Sequence, residues 1–382
     1  MPGITKRKCD AERNRIAKEL KTQLYQVVEA LPPRYSHREL LNGFKNFFPL
    51  EWARIVERCE YYKQKDLFLL KIGKKERYNQ GEPEKFFFRL PIVKYILSNG
   101  YINKHLANFN ELSRKECSAK LIKQKQLQLQ RHNEKINKYK AKMQKIDPYY
   151  LEALIAAYHH RGNSINDKME IVQECKKFDS QRIFNFFYRL NDSERNDQIR
   201  NIAFMHLQKS GHYVKFRKKF KGKQKQYMIE ETDFEVTPAD LYRRLERDSI
   251  QSKKVFDVFI SHSYKDEQII SKIISIMNKN NLHCYCDWVC DNDFLKRSLV
   301  SDYTAEVLKK RIEQSKKILF VKTENSVNGA YIASSWIQLE LDHGKKIGKK
   351  IYQLNLSASK SSLPYEQMNI NFNEETIVWE QK

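Results

Sequence analysis

Apolar and polar positions follow two alternating spacings along the last third of the chain, residues 254–380. Residues 255–260 form a short apolar run of β-branched and aromatic side chains, typical of a strand buried on both faces. Apolar residues then recur at helical spacing from Ile269 to Met277. The same alternation predicts further strands over 282–286, 317–321 and 350–356, and helices over 304–314 and 335–345. This order predicts a parallel sheet with helices on both faces, whose ligand crevice lies at the carboxyl ends of the strands.

Residues 1–110 show helical spacing first and short apolar runs afterwards. Helices are predicted over 11–31, from Ser36 onward and over 51–62. Residues 67–72 and 85–90 have the pattern of two paired strands that turn across 81–83. Helices followed by a β-hairpin predict a small winged-helix-like arrangement.

Residues 111–147 are predicted to form one long polar helix, because glycine and proline are absent until Pro148. Apolar residues recur every seven positions at Ile122, Leu129, Ile136 and Met143. The second column of this heptad pattern holds Tyr139 and Ile146 but is interrupted by Lys125 and His132. The helix either pairs with a second copy of the chain or packs one narrow stripe on its own domain.

Residues 148–250 are predicted to form a second helical unit that ends in a basic hairpin. Its helices are expected over 149–158, 166–178, 180–190 and 193–210. The hairpin turns near Gly222 and presents a cationic set consisting of Lys215, Arg217, Lys219, Lys221 and Lys223. Such a face either binds the phosphates of a nucleic acid or protects an exposed edge strand, and both alternatives remain open.

The excess of positive charge belongs to the amino-terminal two thirds. The chain has a formal net charge of +24, and residues 1–250 hold 52 Lys and Arg against 31 Asp and Glu. This favours an acidic partner such as nucleic acid, although solvated lysine-rich helices have the same composition. The patterns together predict four regions: 1–110, 111–147, 148–250 and 254–382.

The sequence predicts a cytoplasmic protein without a membrane span, since no apolar run is long enough to cross a bilayer. The seven cysteines are scattered except for Cys284, Cys286 and Cys290. With His283 beside them these three raise the question of a zinc site. Paired CxxC spacing is absent, and Cys284 and Cys286 share one face of a strand while His283 points to the other. We therefore expect buried thiols and no metal.

Polar residues collect at the carboxyl ends of the predicted strands. Ser261, His262, Ser263, Tyr264 and Lys265 follow the first strand, and Asp287 and Trp288 follow the second. Trp336 and Glu340 open the helix after the third strand and stand four residues apart. On a helix they share one face, which places an aromatic plane beside a carboxylate.

Several motifs in residues 255–379 together resemble the Toll/interleukin-1 receptor (TIR) domain. The segment 256–263 with Asp266 and Glu267 is similar to the first strand and loop of that family. Cys286, Asp287 and Trp288 resemble its second strand and mobile loop, and 312–321 followed by 334–341 resembles its third strand and glutamate helix. The closest likeness is to bacterial TIR proteins of antiphage defence. The resemblance implies an α/β flavodoxin-like fold.

The resemblance further implies cleavage of NAD⁺ at the nicotinamide N-glycosidic bond, with Glu340 at the catalytic position. Its carboxylate would stabilise the oxocarbenium-like ribose that forms as neutral nicotinamide leaves. The residues implied to bind substrate are Ser261, His262, Ser263, Tyr264, Lys265, Asp287, Trp288 and Trp336. Some NAD-cleaving members carry arginines where this sequence has Ser263 and Tyr264. NAD⁺ is substrate, no cofactor or metal is implied, and linear and cyclic ADP-ribose both remain open as product.

The role of residues 1–250 is inferred from their position beside such a domain. We expect them to sense a trigger, which is nucleic acid or another acidic molecule, and to mediate assembly. Self-association is expected through the TIR domain and through the long helix. The alternative is a TIR scaffold that catalyses nothing and carries a basic nucleic-acid-binding region.

Overall fold

The computed structural model describes residues 4–79, 81–160, 162–216, 224–231, 237–246, 251–291, 302–328, 331–358 and 363–380. The chain divides into two compact units. The first comprises Met1–Ile136 with Gly211–Tyr213, and the second comprises Asn137–Ser210 with Val214–Lys382. The sheet predicted from the sequence belongs to the second unit.

The described residues of the first unit form helices and connecting loops, with no strand. Its helices are α1 (Ile4–Glu19), α2 (Lys21–Glu29), α3 (His37–Phe47), α4 (Pro49–Lys71), α5 (Pro83–Phe88), α6 (Pro91–Ile96), α7 (Asn99–Ala107) and the larger part of α8 (Glu111–Lys140). Ser36 caps α3, because its hydroxyl accepts from Glu39 N at 3.2 Å while the Glu39 carboxylate accepts from Ser36 N at 2.7 Å. Leu24, Phe44 and Phe87 are fully buried in the core.

The predicted hairpin over 67–72 and 85–90 is wrong. Residues up to Lys71 continue α4, and Pro83–Phe88 form α5. Pro83 stands in the first turn of α5, where its missing N–H costs nothing, so the proline taken for a turn begins a helix. The chain reverses instead at the Asp66 carboxylate, which accepts hydrogen bonds from the backbone N–H groups of residues 77–79. Without a hairpin, the winged-helix-like arrangement is not supported.

The single helix predicted over 11–31 is two helices, α1 and α2, which meet at Leu20. The long polar helix is confirmed as α8 over Glu111–Lys140. Among its described residues Leu121 is the buried one, and Ile122 of the heptad column is exposed. The pairing of α8 with a second copy stays a prediction.

The second unit begins with a helical part, residues 137–246. Its helices are α9 (Leu151–Tyr158), α10 (Ile165–Cys175), α11 (Gln181–Ser193), α12 (Asp197–Lys209), α13 (Gln226–Ile229) and α14 (Pro238–Glu246). The four helices predicted over 149–210 are confirmed as α9 to α12. The basic hairpin lies largely outside the described residues, because 217–223 are not described. The described residues 212–216 and 224–231 contain no strand.

The sheet part, residues 251–380, has the predicted α/β architecture. Its elements are β1 (Phe256–Ser261), α15 (Glu267–Lys279), β2 (Cys284–Tyr285), α16 (Asp287–Cys290), α17 (Asp302–Glu313), β3 (Ser315–Lys322), β4 (Val327–Asn328), β5 (Tyr331–Ile332), α18 (Ser335–Lys346), β6 (Lys350–Asn355), β7 (Glu366–Asn371) and β8 (Thr376–Trp379). The large sheet has the order β2-β1-β3-β6-β7-β8, and β4 pairs with β5. All neighbours in the large sheet are parallel except β7 and β8. This confirms the flavodoxin-like fold and places the crevice beyond β1, β2 and β3.

The helical part covers the free edge of β2 through Gln144. The Gln144 side chain donates to Cys284 O at 2.7 Å and accepts from Cys284 N at 3.2 Å, so it satisfies both backbone groups of an edge strand. The Gln144 backbone pairs with Phe178 in an isolated bridge. An edge that would otherwise remain unpaired is therefore closed within the chain.

A buried ion pair and a hydrogen bond also connect the helical part to the sheet part. Glu174 at the end of α10 lies 2.8 Å from the Lys254 ammonium and 2.9 Å from that of Lys177. Lys177 also donates to Cys290 O at the end of α16. Burial lowers the pKa of Lys254 to about 8, whereas the two lysine charges outweigh burial and lower the pKa of Glu174 to about 2.

Candidate active site

A cleft of about 990 Å³ opens at the carboxyl ends of β1 and β2 and against the first turns of α18. Its size is within the range of small-molecule and cofactor sites. The cleft is lined by the residues Lys142, Phe259, Ile260, His262, Ser263, Tyr264, Lys265, Glu267, Tyr285, Asp287, Trp288, Thr304, Leu308, Asn325, Ala333, Ser334, Ser335, Trp336, Ile337 and Glu340. Eight of the nine residues predicted for catalysis and substrate binding are in this set, and the ninth, Ser261, contacts Glu340.

Helix α18 carries Glu340 into the cleft. Ile337 and Leu341 are buried in the core of the sheet part, and Trp336 and Glu340, each one position earlier, share a face of the helix and both line the cleft. Gly344, one turn after Glu340, permits close packing, since a Cβ there would lie 2.2 Å from Ile318 Cδ1 of β3. Small size at Gly344 therefore fixes how near the glutamate helix lies to the sheet.

Glu340 is a buried carboxyl held by one hydroxyl. The Ser261 Oγ at the end of β1 donates to Glu340 Oε2 at 2.5 Å, and Ser261 is completely buried. Burial, opposed by this hydrogen bond and reinforced by the charge of Asp287, raises the pKa of Glu340 to about 8. The raised pKa favours the protonated carboxyl near neutral pH, and a cation placed beside it would favour its ionisation.

The loop after β1 is fixed by Asp266 at its end. The Asp266 carboxylate accepts from Thr323 Oγ1 at 2.5 Å and from Asn325 Nδ2 at 2.6 Å, which joins this loop to the one after β3. Ser263 is buried and its hydroxyl accepts from Lys265 N at 3.4 Å, whereas the Tyr264 side chain is exposed. The loop thus presents the long Lys265 side chain and the Tyr264 phenol from a backbone that the Asp266 hydrogen bonds hold in place.

His262 and Trp288 both line the cleft and are hydrogen-bonded to each other. His262 Nδ1 lies 3.1 Å from the Ile260 carbonyl and must donate to it, while His262 Nε2 accepts from Trp288 Nε1 at 3.0 Å. These two partners fix a neutral imidazole with its proton on Nδ1. They also fix the orientation of the Trp288 indole beside Asp287.

His262, Cys286 and Asp287 offer three atoms within 4.8 Å of one another, a spacing that a metal ion can bridge. The lone pair of His262 Nε2 is occupied by Trp288, however, and burial keeps the pKa of the Cys286 thiol well above its usual value. Metal binding would require breaking that hydrogen bond and ionising a buried thiol. We therefore assign no metal ion to this cluster.

The cysteines near β2 are buried thiols, as the sequence predicts. Cys284, Cys286 and Cys290 are free and buried, and burial raises the pKa of Cys290 to about 12. His283 is enclosed by the rings of Tyr150, Phe178 and Phe256, and burial lowers its pKa to about 4. His283 is therefore a buried ring packed among aromatic side chains.

Comparison with curated proteins decides the family. Over 379 residues the chain is 48% identical to a protein of Cytobacillus dafuensis named putative cyclic ADP-D-ribose synthase TIR2, and the match covers 99% of this chain and 98% of that protein. The chain belongs to the bacterial TIR family. It is also 33% identical over 98 residues to the probable 3′ cyclic ADP-D-ribose synthase ThsB′ of Bacillus cereus (strain MSX-D12), a match that covers 26% of this chain and 48% of that protein. No protein-family model matches the chain.

The resemblance to bacterial TIR proteins of antiphage defence is thereby confirmed. The relation to the first TIR protein extends over nearly the whole chain, so it includes the helical residues before the sheet part. Along the described parts of the chain, no helix combines the length and the apolar character needed to cross a bilayer.

The sheet part brings most of the predicted site residues together as lining of the cleft. Ser261 instead donates a hydrogen bond to Glu340. Of the predicted nucleic-acid contacts, Lys215 is among the described residues, and Arg217, Lys219, Lys221 and Lys223 lie outside them. Sequence reasoning missed Asn325, whose amide connects two TIR loops, and Lys142, which reaches the cleft from the helical part. Neither position has a spacing pattern that marks it.

Proposed function

We propose that this chain is an enzyme that cleaves NAD⁺ at the bond between nicotinamide and ribose, with Glu340 as its catalytic residue. The observation that carries the proposal is the buried Glu340 carboxyl, hydrogen-bonded to Ser261, in a cleft of suitable size that two indoles also line. Two relatives named as cyclic ADP-D-ribose synthases support it. Trp288 and Trp336 supply the aromatic surfaces against which flat rings stack.

The chemistry follows from the charge of the substrate. The pyridinium of bound NAD⁺ brings a positive charge to Glu340 and favours loss of its proton. The C1′–N bond then breaks, its electron pair stays on the nicotinamide nitrogen, and positive charge moves to the ribose. The Glu340 carboxylate stabilises that charge, which in a partly dehydrated site is worth about 3 kcal/mol or more. This scheme needs no metal and no further cofactor.

The product depends on which nucleophile reaches C1′. Water gives linear ADP-ribose, and its second proton leaves to solvent or to the Glu340 carboxylate. A nucleophilic atom of the ADP-ribose itself gives a cyclic product without consuming water. The names of the two relatives favour the cyclic outcome for this chain. We therefore propose cyclisation alongside hydrolysis.

We further propose that the enzyme is an effector of antiphage defence that depletes NAD⁺ or makes a cyclic signal after infection. The first unit and the helical part would sense the trigger and promote self-association. The excess of basic residues over 1–250 favours an acidic trigger such as nucleic acid. A salt-sensitive mobility shift of the full-length chain with DNA or RNA is expected, and no shift at low salt would remove nucleic acid from consideration.

Replacement of the carboxyl tests the catalytic proposal. Glu340→Gln keeps the shape and the Ser261 contact but cannot become an anion, so NAD⁺ consumption should fall by at least about a hundredfold. The measurement is loss of NAD⁺ with release of nicotinamide and ADP-ribose products, for the purified chain and in cells during phage infection.

Glu267→Gln is the matched control, since it removes an exposed carboxylate from the rim of the same cleft. It should retain most of the turnover. Equal turnover in the Glu340→Gln and wild-type chains would show that the reaction uses another group. If the wild-type chain consumed no NAD⁺ in either setting, the TIR unit would act as a scaffold.

A further inference from the structure

Lys142 reaches the cleft from outside the sheet part. It lies two residues beyond the end of α8, and 114 positions separate it from Phe256, the first residue of β1. Its side chain is exposed and lines the same cleft as Glu340 and Trp336. The helical part therefore contributes one residue to the lining of the candidate active site.

The backbone that carries Lys142 is fixed to the sheet part by its neighbours. Gln144, two residues later, makes two hydrogen bonds to Cys284 of β2. With its amide oriented to satisfy its neighbours, Asn278 of α15 accepts from Lys145 N at 3.0 Å and donates to Gln144 Oε1 at 3.2 Å. Lys142 is thus a long cationic side chain on a segment with a defined position relative to the cleft.

The charges around the cleft leave a role for this lysine. Among the described lining residues, Lys142 and Lys265 are the two with a permanent positive charge, because His262 is held as a neutral imidazole. Neither ammonium forms an ion pair with another described residue. The lining carboxyl groups are Glu267, Asp287 and Glu340. Ammonium groups form strong charge-assisted hydrogen bonds with phosphates, and the two that line the cleft stand on different parts of the chain.

We propose that Lys142 binds the diphosphate of NAD⁺, so that the helical part supplies a substrate-binding residue to the TIR cleft. The inference rests on the proposed NAD⁺-cleaving function. It makes the active site composite: the sheet part provides the carboxyl and the indoles, and the segment after α8 provides a phosphate contact. Any movement of that segment changes the affinity for substrate.

The test measures binding apart from turnover. In a Glu340→Gln background, Kd values for NAD⁺ and for ADP-ribose are compared in chains that also carry Lys142→Ala, Lys142→Arg or Lys145→Ala. Lys142→Ala should raise both Kd values roughly tenfold, since a charge-assisted hydrogen bond to phosphate is lost. Lys142→Arg should restore most of the affinity, because the charge returns.

Lys145→Ala is the matched control, an exposed lysine three residues along the same segment that does not line the cleft. It should leave both Kd values unchanged. Nicotinamide riboside, which has no phosphate, should bind equally weakly to all four chains. Thermal melting of each variant reports whether the fold is intact.

The outcomes separate the two proposals. Equal Kd values in the Lys142→Ala and Lys145→Ala chains would overturn the role of Lys142 and leave the NAD⁺ site in place. Failure of the Glu340→Gln chain itself to bind either NAD⁺ or ADP-ribose would overturn both the site and the lysine contact. A loss that is the same for nicotinamide riboside would show that Lys142 shapes the cleft and does not bind phosphate.

Discussion

At the scale of single residues, the proposed chemistry depends on the buried carboxyl of Glu340. Ser261 gives Glu340 one hydrogen bond, and no cation pairs with it among the described residues. The native state consequently favours the protonated form, with a pKa of about 8 against 4.5 for an unperturbed glutamate. Such a group costs little to bury when neutral and much more when charged, so ionisation of Glu340 in the folded protein carries a free-energy cost.

The pH dependence of stability should report this cost. The folded pKa is the higher one, so the native state binds more protons than the unfolded chain between about pH 4.5 and pH 8, and stability falls as pH rises through that window. Glu340→Gln removes the effect. The variant should match the wild type near pH 4.5 and exceed its free energy of unfolding by about 3–5 kcal/mol above pH 8.

Denaturant unfolding at pH 4.5, 6.5 and 8.5 measures that difference. Glu267→Gln, at an exposed position, should follow the wild type at every pH. A constant offset between Glu340→Gln and wild type across the three values would mean that folding does not raise the pKa of Glu340.

At the scale of elements, the position of α18 decides where Glu340 and Trp336 lie. The helix packs on β3 through Gly344, where a Cβ would meet Ile318 Cδ1 at 2.2 Å and Ile351 Cδ1 at 3.7 Å. Ile318 is fully buried, so its side chain has little room to rotate away. The absence of a side chain at Gly344 therefore sets the distance between α18 and the sheet.

Gly344→Ala should lower the free energy of unfolding by about 1–2 kcal/mol, since overpacking outweighs the better helix propensity of alanine. Gly100→Ala in α7 is the matched control, because a Cβ at that helical glycine meets nothing within 4 Å. It should be neutral or slightly stabilising. Equal effects of the two substitutions on denaturant midpoints would contradict close packing at Gly344.

The sequence predicted the elements whose apolar residues recur at a clear helical or strand spacing and are buried in the core. Strand β1 and helix α15 follow directly from apolar spacing, and the polar residues after β1 identify one side of the cleft. Strand β7 was not predicted, because its sequence Glu366–Asn371 is mostly polar and Met368 is its one fully buried apolar residue. The run of apolar residues over 67–72 has the pattern of a strand. In the structure these residues lie at the exposed carboxyl-terminal end of α4.

The contribution of Lys142 to the cleft was beyond sequence reasoning for a different reason. A single sequence shows the spacing of apolar residues within one helix or strand. It does not show that Lys142 will line the same cleft as Glu340, about two hundred positions later. The Gln144 bonds to Cys284 that fix this segment are likewise visible only in the folded chain.

At the scale of the whole molecule, the boundary of the second unit does not coincide with the start of the sheet. The unit begins at Asn137, so the helical part belongs to the same compact body as the TIR sheet. Arg311 and Asp291, both fully buried, add a two-bond ion pair at 2.8 and 3.0 Å beside the Glu174 and Lys254 pair. Arg311 outweighs burial and lowers the pKa of Asp291 to about 2.

A chain that starts at residue 254 should therefore be poorly folded and self-associating. It lacks Gln144 and so exposes the edge of β2, and it lacks Glu174, the partner of Lys254. A chain that starts at residue 137 should remain monomeric or form a defined oligomer, with cooperative unfolding. Size-exclusion chromatography and thermal unfolding compare the two, and a well-behaved 254–382 fragment would contradict the dependence.

The covered edge of β2 also bears on how such proteins exchange parts by recombination. A crossover just before the sheet would separate Gln144 from Cys284 and a lysine from its cleft, and the hybrid would inherit a catalytic domain with an open edge. A crossover near residue 136 would transfer both together. Foreign amino-terminal regions should therefore join this chain upstream of the last turn of α8, and engineered chimeras should be cut there.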